Sequence, residues 1–166
     1  ADDTKLVRSM SGLTAWPLPE MVSTLVRLEL SYNDLTSVPA CISTLQSLEF
    51  LNLSYNMIST IEDGGLSELK VLRYLTFDSN RLPSTFANIS QLTSLTHLSF
   101  ARNRLSTIDP QILQMTSLET LNLSNNPNID GVVPEDVALP NLTHLSLREI
   151  SLREIPDSFA TLTALK

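Results

Sequence analysis

"LEFLNLSYNMI", residues 48–58, carries the pattern that decides the fold of this chain. Its leucines stand at the first, fourth and sixth places, and an asparagine follows at the ninth. Apolar and variable residues alternate around the second and third leucines, which predicts a short strand with one buried face. One such strand is not stable by itself, because its backbone and its leucines need neighbouring strands.

The same pattern recurs along the chain. It begins at residues 25, 48, 72, 95, 118 and 142, so successive units are 23 or 24 residues long. Repeats of this length predict a solenoid in which each unit buries its leucines against its neighbours. The strands then form a parallel sheet with rungs about 4.8 Å apart. Prolines at positions 39, 110 and 134 predict return segments that are irregular or form single helical turns.

With its template L-x-x-L-x-L-x-x-N-x-L, the chain resembles the leucine-rich repeat family. The resemblance implies an α/β solenoid, a curved right-handed superhelix with a parallel β-sheet on its concave face and irregular or 3-10 segments on its convex side. The fifth unit contains "NNPNIDGVVPEDV" (125–137), whose I-x-G-x-V-P cadence resembles the plant-receptor subtype of the repeat.

Residues 1–24 are interpreted as a degenerate N-terminal capping repeat. Within them "GLTAWPLPEMVSTL" (12–25) echoes "DLTSVPACISTL" (34–45) and places Trp16 over the first core layer. A peptide-binding role is the alternative for Trp16. Residues 25–166 contain the six repeats, and the lack of a polar C-terminal cap indicates that they are truncated there and belong to a longer protein.

Asparagines at the ninth place of the template predict a second repeating feature. Buried amides there can bond backbone groups that the turning chain leaves unpaired, which is the role of the family's asparagine ladder. The ladder residues are Asn33, Asn56, Asn80, Asn103 and Asn126. In the sixth unit Ile150 takes this place, inside the doubled pentad "SLREISLREIP" (146–156). Because isoleucine cannot make those bonds, we expect a change of path, a water or compensation by a neighbouring backbone there.

Residues that point outward from the strands form the candidate binding face. Exposed aromatic side chains supply much of the energy of protein recognition, although stacking between strands that only stabilises the sheet is the alternative for them. "RNR" (102–104) resembles the paired arginines with which some plant peptide receptors hold a ligand carboxylate; the alternative is a solvated rim with Asp78 as counter-charge. The predicted binding residues are Tyr32, Phe50, Tyr55, Tyr74, Asp78, His97, Arg102 and Arg104.

Composition excludes several other functions. A net charge of −7 argues against binding to nucleic acid or to anionic membranes, and no apolar run is long enough to span a bilayer. Cys41 is the only cysteine, which excludes an intrachain disulfide, and we expect its small side chain to be partly buried in a repeat. His97 and His144 lie two rungs apart, roughly 10 Å from the rung spacing, which is too far for a shared metal without a third ligand. We therefore expect no cofactor, no metal site and no catalytic activity from this segment.

The sequence thus predicts a module that recognises a protein or peptide on its concave face. The preferred interpretation is the ectodomain of a cell-surface receptor of the receptor-like kinase type, which is extracellular and carries a glycan. Asn88 is the glycosylation candidate, whereas the sequons at Asn52 and Asn122 are interpreted as accidents of the strand pattern. The alternative is a cytoplasmic scaffold or regulatory subunit that docks a signalling protein, favoured by the free thiol and the absence of cysteine-rich caps. A spacer without a ligand is the third interpretation.

Overall fold

Nine short strands form two parallel sheets in the computed structural model, which describes residues 4–166. The larger sheet has the order β1-β2-β4-β6-β7-β8-β9, and the smaller pairs β3 with β5. Every neighbouring pair in the larger sheet comes from consecutive units. The strands are β1 (Lys5–Val7), β2 (Arg27–Glu29), β3 (Ser37–Val38), β4 (Phe50–Asn52), β5 (Thr60–Ile61), β6 (Tyr74–Thr76), β7 (His97–Ser99), β8 (Thr120–Asn122) and β9 (His144–Ser146).

The central leucine of each strand keeps one register across the larger sheet. Leu28 pairs with Leu51, and the series continues through the central residue of each later strand to Leu145 in β9. These side chains point to the same side of the sheet, where those of β2, β4, β6, β7 and β8 are at most 1% exposed. Burial of one leucine contributes roughly 1.5–3 kcal/mol. The leucine-rich solenoid predicted from the template is confirmed.

The first strand was missed by the sequence template. Lys5–Val7 pairs with β2 and places Leu6 against Leu28, so the sheet has a rung before the first of the six predicted repeats. Trp16 lies one turn later, packs against the core and donates its indole N–H to the Ser37 carbonyl at 2.6 Å. Residues 1–3 of the predicted capping repeat lie outside the described residues.

Short 3-10 segments form the opposite side of the solenoid. In all six, the backbone N–H of the residue that follows the segment donates to a carbonyl three residues earlier, as this helix type requires. The helix does not continue, because each segment ends in an extended or irregular residue that leads to the next strand. The segments described within residues 4–166 are Leu18–Glu20, Ala40–Thr44, Leu66–Glu68, Ile89–Gln91, Ile112–Gln114 and Asp157–Thr161.

Cys41 lies in one of these segments and corrects an expectation. It is exposed rather than partly buried, because Ile42 takes the core position of the turn Ala40–Thr44 and is fully buried. None of the helices within residues 4–166 is long and apolar enough to cross a membrane.

Buried asparagines hold successive turns together through their side chains. Asn103 donates its amide to the carbonyls of Phe77 and Phe100 at 2.8 and 3.0 Å, and its oxygen accepts the N–H of Leu82 at 3.0 Å. Each ladder asparagine therefore bonds its own turn and the preceding one. The same three types of bond are made by Asn33, Asn56, Asn80 and Asn126.

The ladder stops at the sixth turn. Ile150 stands at the ladder place and has no amide to donate. The Leu123 carbonyl therefore accepts one side-chain hydrogen bond, from Asn126 at 2.9 Å. Equivalent carbonyls in earlier units, such as that of Leu53, accept two. Glu149 keeps the left-handed conformation, with φ 54°, that precedes each ladder asparagine. The turn itself is thus preserved although its polar side chain is missing.

Beyond Ile150 the chain follows a different path. In the fourth unit the backbone N–H of Ser106 donates to the Pro83 carbonyl, and both residues come three places after the ladder asparagine of their own unit. In the sixth unit Arg153 also comes three places after the ladder position, but its N–H reaches Gly131, five places after Asn126, at 3.4 Å. The fifth unit is one residue longer than the fourth, and its Gly131 accepts this shifted contact.

Candidate functional site

The register of the large sheet arranges the predicted binding residues in columns. One column contains the residue before each central leucine, and a second contains the residue after it. Both columns point away from the leucine core. The first runs Lys5, Arg27, Phe50, Tyr74, His97, Thr120 and His144, and the second runs Val7, Glu29, Asn52, Thr76, Ser99, Asn122 and Ser146.

Four neighbours in the first column form a continuous stack. The Arg27 guanidinium lies 3.5 Å from the centre of the Phe50 ring, which stacks on Tyr74 with centroids 4.4 Å apart. Tyr74 in turn stacks on His97 at 5.8 Å. Glu29 holds the arginine in place through a 3.0 Å ion pair. The stack is partly exposed, so it presents ring edges to a partner while its faces are already packed.

A second aromatic pair flanks this stack near the ends of the strands. Tyr32 and Tyr55 stack in parallel with centroids 4.2 Å apart and keep 46% and 43% of their surface exposed. Met10 occupies the same place in the first unit and is 75% exposed. Met10 was not among the predicted binding residues, because the first strand does not fit the template. Arg27 was not among them either, although it stands in the same column as Phe50.

The backbone conformation explains why these side chains point outward. The residue before each ladder position has a positive φ, a region that non-glycine residues seldom occupy. Backbone hydrogen bonds to the next unit hold this residue in that conformation. For example, the backbone N–H of Tyr55 donates to the Asp78 carbonyl at 2.7 Å. The residues concerned are Met10, Tyr32, Tyr55, Ser79, Arg102, Asn125 and Glu149, with φ between 54° and 58°.

Tyr74 and Tyr32 of this surface have raised pKa values. Loss of solvent, followed by the charges of Asp78 and Glu29, raises the pKa of Tyr74, and Arg27 opposes the shift. Desolvation and the neighbouring Tyr55 raise the pKa of Tyr32. Both phenols are therefore neutral at physiological pH and can act as hydrogen-bond donors to a partner.

The C-terminal half of the face is polar. Asp78 accepts the hydroxyl of Ser99 and, at 3.0 Å, the N–H of Ala101. It makes no ion pair with Arg102 or Arg104, whose exposed guanidiniums have no carboxylate within 4.0 Å among residues 4–166. Arg102 lines a shallow depression of about 310 Å³, whereas Arg104 does not.

The two histidines do not form a joint site. Thr120 stands between His97 and His144 in the column, and the Nδ1 atoms of the two imidazoles lie 2.9 and 2.8 Å from the hydroxyls of Thr96 and Thr143. Across the described part of the chain, no three His, Cys, Asp or Glu side chains come together in a way that could hold a metal ion.

The predicted glycosylation candidate lies away from the sheet. Asn88 is exposed, caps the 3-10 segment Ile89–Gln91 and makes no side-chain hydrogen bond there. In contrast, Asn52 and Asn122 lie in strands, and their side-chain oxygens accept the N–H of Ser54 and Ser124. Asn141 begins a fourth sequon, and its side-chain amide donates to the Thr116 carbonyl at 2.8 Å. Among these four sequons, Asn88 offers the amide with the least competition from the protein itself.

Comparison with protein families finds the same repeat along the chain. A model described as "Leucine rich repeat" matches residues 23–82, and one described as "Leucine Rich repeats (2 copies)" matches residues 93–136. Adenylate cyclase of Schizosaccharomyces pombe is 48% identical over 63 residues, which are 36% of this chain.

Two solved structures resemble the fold. The plant peptide hormone receptor RGFR1, in complex with RGF2, covers 88% of this chain with a TM-score of 0.77 and 31% identity. A leucine-rich repeat protein of Leptospira interrogans covers 93% with a TM-score of 0.70 and 24% identity, a level that supports the fold alone. The chain spans only 24% and 45% of these two proteins, and 4% of the adenylate cyclase.

Proposed function

The chain belongs to the leucine-rich repeat family, and we propose that it is the ligand-binding part of a cell-surface receptor of the receptor-like kinase type. As a leucine-rich repeat solenoid it is a protein-interaction module, and the repeat fold is typically non-catalytic. In this proposal a protein or peptide binds on the concave face, with its main contacts on the aromatic surface formed by Phe50, Tyr74, Tyr32 and Tyr55.

The observation that carries the proposal is the combination of packing and exposure in this surface. The rings are fixed by stacking at 4.2 and 4.4 Å, so these side chains lose little further conformational entropy when a partner covers them. Arg27 and His97 extend the surface with a guanidinium and an imidazole. Cross-strand stacking alone does not require the hydroxyls of Tyr74, Tyr32 and Tyr55, which can bond a partner.

Two further observations support a receptor. The similarity to a plant peptide hormone receptor extends over 88% of this chain, with 31% identity. Asn88, with an exposed and unbonded amide, lies on the side opposite the binding face, where a glycan would leave the aromatic surface accessible.

An intracellular docking module is the second candidate. It is favoured by the 48% identity with a segment of adenylate cyclase, an identity higher than that with the receptor but confined to 36% of the chain. The unpaired thiol of Cys41, which is exposed, fits a reducing compartment. Both candidates use the concave face and differ in the compartment and the flanking segments.

Selection from a library of random displayed peptides tests the binding face. We expect Tyr74→Ala to weaken binding of the selected peptides by more than about 1 kcal/mol, or about fivefold, because an exposed aromatic anchor is removed. Fluorescence anisotropy measures the affinities, and circular dichroism shows that the variant is folded.

Val132→Ala is the matched control. Val132 is 59% exposed, is apolar, and lies in the return segment of the fifth unit, away from the aromatic surface. Peptides that bind Tyr74→Ala as tightly as the wild type but lose affinity for Val132→Ala would contradict the proposed face.

The complete transcript distinguishes the two compartments. A leader peptide and a membrane-spanning helix in the same reading frame would support the receptor, and a frame without them would contradict it. Intact-mass measurement after expression in a eukaryotic secretory host gives a second test, in which Asn88→Gln should remove one glycan.

A further inference from the structure

A shallow depression on the concave face lies beyond the aromatic surface, toward the C-terminal units. Its volume is about 310 Å³, and it extends from Tyr55 and Asp78 to Arg148 of the sixth unit. Arg102 lies between these ends. Arg148 is not one of the predicted binding residues, because the strand template gave no reason to combine residues from the fourth and sixth units.

The two arginines of the depression have no ionic partner. Within residues 4–166, neither Arg102 nor Arg148 has a carboxylate within 4.0 Å, although each lies on the surface of a chain with a net charge of −7. Arg27, at the other end of the face, is paired with Glu29 at 3.0 Å. Two guanidiniums without an ionic partner, those of Arg102 and Arg148, thus line one depression.

Hydroxyl groups add a further donor. The oxygens of Ser124 and Ser146 lie 2.6 Å apart, and Ser124 Oγ also accepts the Arg148 backbone N–H at 3.2 Å. One hydroxyl proton joins the two serines, so the other remains available whichever serine donates. The depression therefore holds a free O–H beside the two guanidiniums.

Side-chain amide groups supply further hydrogen-bond donors to the depression. Asn122 uses its side-chain oxygen to accept the Ser124 N–H at 3.0 Å, which leaves its NH₂ group free to donate. Asn125 also lines the depression. The one carboxylate in the lining, Asp78, accepts the Ser99 hydroxyl and the Ala101 N–H through Oδ1, and its Oδ2 remains as an acceptor. Available donors thus outnumber available acceptors.

We propose that this depression is a subsite for an anionic oxygen group, a carboxylate or a phosphate, carried by a side chain of the protein partner. Guanidinium groups bind both anions through charge-assisted hydrogen bonds, and the serine hydroxyl and asparagine amide complete the donor set. The inference rests on the proposed function only in assigning the anion to a partner on the concave face. Arg148 and Arg102 are its main determinants.

Titration with small anions tests the subsite without any partner. Backbone and arginine side-chain N–H signals of the ¹⁵N-labelled chain are followed by NMR while sodium phosphate or sodium acetate replaces sodium chloride at constant ionic strength. We expect saturable shifts at Ser124, Arg148 and the Arg102 side chain. Arg148→Gln and Arg102→Gln should each weaken binding about tenfold. Saturation by phosphate alone assigns a phosphorylated side chain, and saturation by acetate alone assigns Asp or Glu.

Arg153→Gln is the matched control, since it removes the same charge from the return segment of the sixth unit, outside the depression. It should leave the affinity for either anion unchanged. Absence of saturation with both anions, or equal weakening by Arg153→Gln, would overturn the subsite. Because no peptide takes part, such a failure is distinct from failure of Tyr74→Ala to weaken peptide binding.

Discussion

The turns at Asn103 and Ile150 occupy the same place in their units but are held by different contacts. Asn103 is 5% exposed and bonds three backbone groups, two of them in the preceding turn. Ile150 makes no such bond, and the chain after it lies against Gly131 instead. The leucine pattern is kept in both units. The comparison shows that apolar positions define the rung and that the polar side chain defines how each turn is fastened to the one before it.

The fastening at the sixth turn depends on the absence of a side chain. A Cβ atom on Gly131 would lie 1.8 Å from the Ser151 carbonyl oxygen, closer than any contact between unbonded atoms. The fifth unit thus has a glycine, Gly131, at the point where it contacts the unit whose ladder asparagine is replaced by Ile150. The fourth turn is joined to the third by hydrogen bonds from the Asn103 side chain, whereas the sixth is joined to the fifth by close approach of the two backbones at Gly131.

Asn103→Ala should have the largest effect. The Leu82 N–H would lose its acceptor in a buried site, and the carbonyls of Phe77 and Phe100 would each lose one bond. We expect the free energy of unfolding to fall by about 3 kcal/mol. Urea denaturation followed by circular dichroism measures the change, and a loss below about 1 kcal/mol would show that the ladder does not fasten the turns.

Gly131→Ala should have the next largest effect. Gly64→Ala is its control, because Gly64 has a similar φ of 75° against 80° but no atom within 4 Å of the added Cβ. Both variants suffer the same backbone strain, and only Gly131→Ala meets the Ser151 carbonyl. We expect Gly131→Ala to cost about 2 kcal/mol more and to lower hydrogen-exchange protection of β9. Equal costs would mean that the close approach is relaxed without loss.

Ile150→Ala should cost less than Asn103→Ala. Ile150 is partly buried against the core and makes no side-chain hydrogen bond, so the substitution removes some apolar contact and leaves no polar group unpaired. A loss of about 1 kcal/mol in urea unfolding is expected. If both substitutions cost the same, packing rather than hydrogen bonding would dominate at the ladder position.

Alkaline pH should produce the smallest effect and separate the third unit from the sixth. Burial raises the pKa of Tyr74 above 10.0, so folding disfavours the phenolate. The stabilising contribution is complete below pH 10 and is lost as the pH rises through the folded pKa. Exchange protection of β6 should therefore fall in this range while that of β9, whose unit has no tyrosine, should not. Tyr74→Phe should abolish the pH dependence of β6.

The spacing of the leucines predicted the regular part of the sheet. All strand partners from β2 to β9 in the large sheet follow from it, because a period of two leaves one register that buries the leucines. The first strand could not be found in this way, since Leu6 is the only one of the three strand leucines of the template that its unit keeps. Exposure of Cys41 was also missed, because a template does not define which residue of a one-turn segment faces the core.

Contacts between distant units were not predictable from the template either. The stacking of Phe50 on Tyr74 follows from adjacency, but the 3.5 Å approach of Arg27 depends on its rotamer and on Glu29. The depression between Arg102 and Arg148 requires side chains from the fourth and sixth units to share one space. Such features are set by three-dimensional packing, which a repeat pattern does not encode.

The position of Cys41 has a practical consequence for measuring binding. It is the only cysteine, it is exposed, and it lies on the 3-10 turn Ala40–Thr44, on the side opposite the outward strand residues. A maleimide linker can therefore attach every molecule to a sensor surface through the same atom. All molecules would then present the concave face to solution in one orientation, so that the variants described above can be compared on one chip without altering the residues they are meant to test.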